Sequence, residues 1–180
     1  MSRQSELHDH KRETILAAAR AVFATGGLAG TTIRAIAARA GYTPGAIYFY
    51  YPGREAILAD LMARSLGEAA RAVKASGDVA GAGQALYRHY AARPDEARLL
   101  FQLLPEPAPT PVAERQIMGR LIALLTPFRD LGLADADAVS LLAQTLGLLL
   151  LDARLNTLGQ NGAALLDLHT EHLLQNGFRE

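Results

Sequence analysis

From Thr31 to Tyr51 the chain reads Thr-Thr-Ile-Arg-Ala-Ile-Ala-Ala-Arg-Ala-Gly-Tyr-Thr-Pro-Gly-Ala-Ile-Tyr-Phe-Tyr-Tyr, and few folds can use such a run. A hydroxyl at Thr31 or Thr32 caps a helix, Ile33, Ile36, Ala37 and Ala40 form its apolar stripe, and Gly41 stops it. Thr43 can cap a second helix, with Pro44 in the first turn, where its missing N–H costs nothing. The product is two short helices around a tight turn, the second carrying small and aromatic residues where a core would take aliphatic ones. Successive helical residues stand about 100° apart, so Tyr48, Phe49 and Tyr50 cannot all face one core. At least one ring points outward, whereas Phe23 and Tyr51 are expected inside.

The surrounding periodicity is helical throughout. Ile15, Ala18, Ala19, Val22 and Phe23 follow the spacing of an amphipathic helix that Gly26-Gly27 ends. Pro52-Gly53 breaks the chain before a longer helix from about Arg54 toward Ser76. Further helices are expected over 84–93 and 94–104. The second of these has Pro94 at its start and Asp95-Glu96 in its first turn, where acidic groups favour the helix dipole. The proline-rich 105–111 is a connector, followed by helices over 112–131, with a bend at Pro127, 135–158 and 163–176. An all-α fold of about nine helices results, without strands or internal repeats. A three-helix helix-turn-helix domain over 1–53 precedes a helical regulatory and dimerisation domain over 54–180, the fourth helix connecting them.

Composition narrows the chemistry. The chain has no cysteine, which removes disulfides, thiolate nucleophiles and cysteine-ligated metals together. No run approaches the roughly 20 apolar residues of a membrane span, and the polar start Met-Ser-Arg-Gln-Ser-Glu lacks the apolar stretch of a secretory signal. A cytoplasmic protein without membrane contact is expected. Net charge is zero, yet residues 1–54 hold seven basic side chains against three acidic ones, leaving the rest four in deficit. A positive head on a neutral chain suits a polyanion.

In a helix-turn-helix the second helix enters the major groove of DNA by its N-terminal part while the first crosses the backbone. Gly45 permits close approach, Thr43 can reach a base edge or phosphate, and Arg34 can contact guanine in bidentate fashion. Tyr48 and Tyr50 offer hydroxyls to phosphates, and Arg54 stands at a helix N-terminus, a ready anion site. Thr32, Pro44 and Phe49 complete the candidate DNA surface. Residues 9–65 resemble the DNA-binding domain of the TetR family of bacterial transcriptional regulators. The likeness is carried by Ala40-Gly41 at the turn, Gly45 and Tyr48 in the third helix, Tyr50-Tyr51 before the fourth, and Arg54-Glu55-Ala56-Ile57-Leu58. Two positions depart from the family pattern: Arg54, where lysine is usual, and Tyr42, where an aliphatic residue is usual.

That resemblance implies a C-terminal body holding a small-molecule pocket and a two-fold dimer made chiefly by the last two helices. The leucines support the dimer independently: Leu141, Leu142, Leu146 and Leu148 to Leu151 wrap nearly around one helix, and Leu165, Leu166, Leu168, Leu173 and Leu174 load its neighbour. Tyr87, Tyr90, Phe101, Gln102, Met118 and Gln144 are the candidate pocket residues. No charged cluster announces a charged ligand, so the expected effector is apolar or weakly polar. His8-Asp9-His10 reads as a mobile tail or frayed helix start, and His169 with His172 lacks a third ligand, so no metal or cofactor is expected. No catalytic motif is present and no enzyme is expected. The chain thus reads as a homodimeric, ligand-responsive repressor binding a palindromic operator in double-stranded DNA. The alternative is an effector-free dimeric DNA-binding protein whose C-terminal domain serves only dimerisation or partner recruitment.

Overall fold

The computed structural model describes residues 3–105 and 107–176; among them there are nine helices and no strand. They are α1 (Arg3–Gly30), α2 (Ile33–Ala40), α3 (Pro44–Tyr48), α4 (Arg54–Lys74), α5 (Val79–Ala91), α6 (Pro94–Leu103), α7 (Pro111–Asp130), α8 (Asp135–Thr157) and α9 (Gly162–Asn176). No single helix among the described residues is long and apolar enough to cross a membrane. Two compact units emerge, one of residues up to Arg64 with Phe101–Ile117, the other of Ser65–Leu100 with residues from Met118 onward.

In the first unit the sequence rules operate as expected. The face Ile15, Leu16, Ala18, Ala19 and Phe23 of α1 is buried, and α2 packs on α1 with Ile36 and Ala37 fully enclosed. Ile33 and Ala40, on the same stripe, are half-buried. The helical backbone of α1 breaks at Gly27, whose φ of 59° few other residues tolerate, and a further turn reaches Gly30. The buried Thr31 hydroxyl donates to the Gly27 carbonyl at 2.7 Å, fixing that break. His8, Asp9 and His10, expected as a tail or frayed start, lie well inside α1.

The second unit departs from the sequence reading at α5, which begins five residues earlier than Gln84. The Ala-Gly-Ala-Gly run over 80–83 has poor helix propensity, but Asp78 caps the helix by accepting from the Gly81 N–H at 2.6 Å. Gly83 faces a tight helix crossing: a Cβ there would meet Leu141 and Thr170 at 3.7 Å. Packing of α5 on α8 and α9 overrides propensity. Two polar groups pin this arrangement. The Gln84 amide donates to the Ala163 carbonyl at 2.9 Å and to Asp167 at 2.5 Å, and the Tyr87 hydroxyl donates to Asp152 at 2.6 Å. Gly162 is pressed against the second pair, its missing Cβ position lying 2.5 Å from the Tyr87 oxygen.

Deeper in the same unit, Ser65 of α4 donates to the buried Glu96 of α6 at 2.8 Å and stands 3.5 Å from the Tyr90 hydroxyl of α5. Burial, reinforced by Glu96 and Glu68, pushes the Tyr90 phenol far above its ordinary range. Glu68, His89 and Glu96 bring ligating atoms within 4.8 Å of one another. Arg93 lies 3.2 Å from His89 Nδ1, and Glu96 stands 3.8 Å from His89 Nε2 and 3.9 Å from the Arg93 guanidinium. Arg93, His89, Glu96 and Ser65 thus gather into one polar knot inside the second unit.

Burial, with the Asp152 carboxylate, pushes the Tyr87 phenol up to about 12. The folded chain therefore holds this proton more tightly than the unfolded chain, whose tyrosine titrates at about 10. Its contribution to stability is complete below about pH 10 and is lost as pH rises through about 12. Urea denaturation of the parent protein and Tyr87→Phe will show a stability difference that shrinks across that window.

Candidate nucleic-acid interface

The geometry of the first unit starts with the turn after α2. Gly41 adopts φ 73°, ψ 28°, its N–H donates to Ala38 at 3.4 Å, and the Tyr42 N–H donates to Ala37 at 2.9 Å. This double closure satisfies the last carbonyls of α2 and reverses the chain, which a β-carbon at Gly41 would oppose. Thr32 and Thr43 each cap a helix, their hydroxyl oxygens accepting from the Ala35 N–H at 3.1 Å and the Ala46 N–H at 3.2 Å. Each hydroxyl keeps its own hydrogen to donate.

On α3 one side chain anchors and the others project. Ile47 is completely buried, whereas Tyr48 is 57% and Phe49 84% exposed. Tyr51 is buried as expected. Tyr50 is half-buried, its ring 5.1 Å from that of His8, and Tyr42 is half-buried beneath the Lys11 ammonium at 5.3 Å. Thr32, Arg34, Thr43, Pro44 and Gly45 are exposed. The structure thus brings Thr43, Pro44, Gly45, Tyr48 and Phe49 onto or beside one short helix, with Arg34 in the first turn of α2.

Arg54 sits at the start of α4 with its side chain about one-third exposed. Its guanidinium donates to Glu55 at 3.0 Å and to the Leu28 carbonyl at 3.4 Å.

What fixes α3 is a carboxylate that the sequence reading passed over. Asp60 of α4 accepts from the Tyr51 hydroxyl at 2.7 Å, from Arg12 of α1 at 2.8 Å and from Arg64 at 3.4 Å. Arg12 also donates to the Tyr50 carbonyl at 3.0 Å and lies 4.2 Å from the Tyr51 ring centre, and Arg64 pairs with Glu13. Burial, together with the Asp60 hydrogen bond and charge, drives the Tyr51 phenol far above its ordinary range, so this hydroxyl remains a donor. Only the Asp60–Arg64 spacing of four on one helix face is visible in sequence. Arg12, counted in the basic surplus, is committed to this network.

The six pocket candidates are scattered. Tyr87 and Tyr90 are buried within the second unit, Gln144 is half-buried there and Met118 is 46% exposed. Phe101 is half-buried and Gln102 exposed in the first unit. None lines either of two cavities the structure contains. In the first unit a cavity of about 190 Å³ has largely apolar walls and the Arg54–Glu55 pair on its lining. In the second a cleft of about 290 Å³ is bordered by Arg71, Lys74 and Arg120, with Asp130. This gathering of cations from α4 and α7 has no signature in the sequence. His169 lies on α9 half-buried, its imidazole pushed down by burial and then by His172.

Comparison with known proteins places this geometry. Residues 15–61 match the family model for bacterial regulatory proteins of the tetR family. Among solved structures, SCO4313, a provisionally assigned regulatory protein, is 21% identical, with 97% of this chain and 100% of that one aligned at a TM-score of 0.77. A transcriptional regulator from Rhodococcus sp. Rha1 is 25% identical over 91% of this chain and 96% of its own, with a TM-score of 0.72. The transcriptional regulator FadR from Bacillus subtilis, solved with stearoyl-CoA, is 19% identical over 93% and 99%, with a TM-score of 0.65. No curated protein sequence matches.

Asp60→Asn removes the charge that holds two guanidinium groups and a phenol together. The expected loss is about 2 kcal/mol of stability in the first unit, the range for hydrogen bonds to a charged, partly buried group. Urea denaturation followed by circular dichroism measures it, and Leu7→Ala, at an exposed site on α1, the helix that carries Arg12, should change little.

Proposed function

We propose, from the match of residues 15–61 to the model for bacterial regulatory proteins of the tetR family, that the chain is a cytoplasmic, ligand-responsive repressor of that family. It binds a palindromic operator as a homodimer. Residues 1–53 read the DNA, α4 connects, and the remainder regulates and dimerises. Two heads occupy successive major grooves on one face of the duplex, with half-sites about 34–36 Å apart or somewhat more.

The observation that carries this reading is the combination of Gly45 and its exposed neighbours. A Cβ at Gly45 would meet nothing nearer than the Thr43 oxygen at 4.0 Å, and its φ lies outside the left-handed region. Nothing inside the protein requires glycine there, although glycine within a helix costs roughly 0.5–1 kcal/mol relative to alanine. A constraint from outside accounts for it: a duplex backbone or base edge approaching α3 closely. The outward Tyr48 and Phe49 rings, which no internal packing uses, fit the same approach.

Dimerisation is supported by the apolar surface left on the last two helices. Leu150 is 63%, Leu151 50% and Leu168 65% exposed, with Val139 half exposed on the same pair. Large exposed aliphatics grouped on two adjacent helices favour an isologous interface. The effector reading takes support from FadR of Bacillus subtilis, which accommodates stearoyl-CoA on a similar fold. An effector with different affinities for the two states would release DNA through α4 by changing the separation of the heads.

Two sets of variants test this. Gly45→Ala should raise stability by roughly 0.5 kcal/mol while weakening operator binding in a gel-shift titration, a divergence that a purely structural role for Gly45 cannot produce. Arg34→Ala should lose roughly 1–3 kcal/mol of binding and relax base preference, whereas Tyr48→Phe should weaken specific and random DNA alike. Equal gel shifts for all three proteins and the parent would refute the interface. For the dimer, Leu150→Glu combined with Leu168→Glu should sediment as a folded monomer that no longer retains operator DNA; a persistent dimer would place the interface elsewhere.

A further inference from the structure

The first unit holds a cavity whose walls and whose one polar end serve different purposes. Leu58 and Met62 of α4, Leu103 of α6 and Ile117 of α7 form apolar walls, and Arg54 with Glu55 supplies the polar end. Leu58, Met62 and Ile117 are almost wholly shielded from solvent, so the walls are firm. An apolar cavity of about 150 Å³ is enough to take up benzene. At about 190 Å³ this one has room for a single ring or a short chain, and not for an acyl-CoA. Arg54 carries five N–H donors, of which Glu55 and the Leu28 carbonyl engage two. The Glu55 partner is itself largely exposed and needs no burial to be satisfied.

We propose that this cavity binds a small carboxylic acid, a single-ring or short-chain compound whose apolar part fills the space between Leu58, Met62, Leu103 and Ile117. Its carboxylate takes the position at Arg54 now held by Glu55. A guanidinium matches a carboxylate in a planar, two-pronged geometry, and the apolar walls hold the ring or chain that carries it. Resting on the reading of Arg54 as a phosphate contact, the proposal carries a regulatory consequence. A ligand that draws the guanidinium into the cavity competes with a DNA phosphate for the same group. The coupling is then local to the reading head, and by linkage DNA must weaken the acid to the same degree as the acid weakens DNA.

Fluorine NMR of 4-fluorobenzoate with the full chain tests the site without DNA, and 4-fluorobenzamide supplies the same ring without the charge. Saturable broadening is expected for the acid, with the amide binding roughly ten- to a hundredfold more weakly, as is the acid to Arg54→Gln. Met62→Phe should abolish binding by filling the cavity; if thermal denaturation shows that variant unfolded, Leu103→Trp at the half-buried edge replaces it. No saturable binding, or binding that neither the charge nor the filling substitution alters, overturns the site. Fluorescence anisotropy with labelled duplex then tests the coupling. The acid should weaken DNA binding by the parent protein but not by Arg54→Gln, and an equal effect on both overturns the competition. A chain that binds the acid yet ignores DNA under all salt conditions refutes the regulator reading and leaves the cavity site standing.

Discussion

The helix-turn-helix of the first unit depends on one carboxylate. Asp60 accepts from a phenol and two guanidinium groups, donors that come from α1, from the segment after α3 and from α4 itself. Tyr51 closely follows the exposed Tyr48 and Phe49, so holding its hydroxyl fixes where α3 ends and where those two rings project. The interaction sits at intermediate depth, where water screens the charges poorly and a removed partner leaves an uncompensated ion. A purely apolar anchor would bury Tyr51 equally well but would leave its rotation and the preceding backbone loosely set. The Arg12 bond to the Tyr50 carbonyl shows the same charge setting the backbone itself.

Two glycines in this domain illustrate opposite reasons for the same residue. Gly41 occupies a left-handed conformation that closes α2 and cannot be replaced without strain inside the chain. Gly45 lies in ordinary helical backbone with open space around its missing β-carbon. The first is demanded by folding and the second by nothing in the fold. Exposure of Phe49 and Tyr48 carries the same message, since burying large rings is what folding alone would favour.

Much of this was legible in the residues. The three N-terminal helices, the turn at Gly41, the caps at Thr32 and Thr43, the burial of Phe23 and Tyr51 and the outward rings all follow from local rules of spacing, capping and periodicity. Those rules act over a few residues and do not need the rest of the chain. They failed at α5, where two glycines argued against helix and packing against α8 and α9 outweighed that propensity. They also gave no grouping for Tyr87, Tyr90, Phe101, Gln102, Met118 and Gln144, because a cavity is a property of distant segments and any apolar stretch with a polar residue looks equally eligible. The structure ties Tyr87 to Asp152 and sets Tyr90 beside Ser65 near the Glu96 knot, and it places the first unit's cavity around Arg54.

By itself the sequence determined the all-α class, the caps and turn of the first three helices and the outward rings of α3, since backbone hydrogen bonding and apolar period are settled between near neighbours. Only tertiary structure decided which charges are spent within the protein and which remain outside. Arg12, Arg54 and Arg34 look alike as isolated basic residues, yet Asp60 claims the first, Glu55 and the Leu28 carbonyl hold the second, and the third stands exposed. Long side chains choose partners through space as well as along the chain: Arg12 reaches Asp60 across 48 residues and Arg54 the Leu28 carbonyl across 26, contacts that linear spacing does not announce.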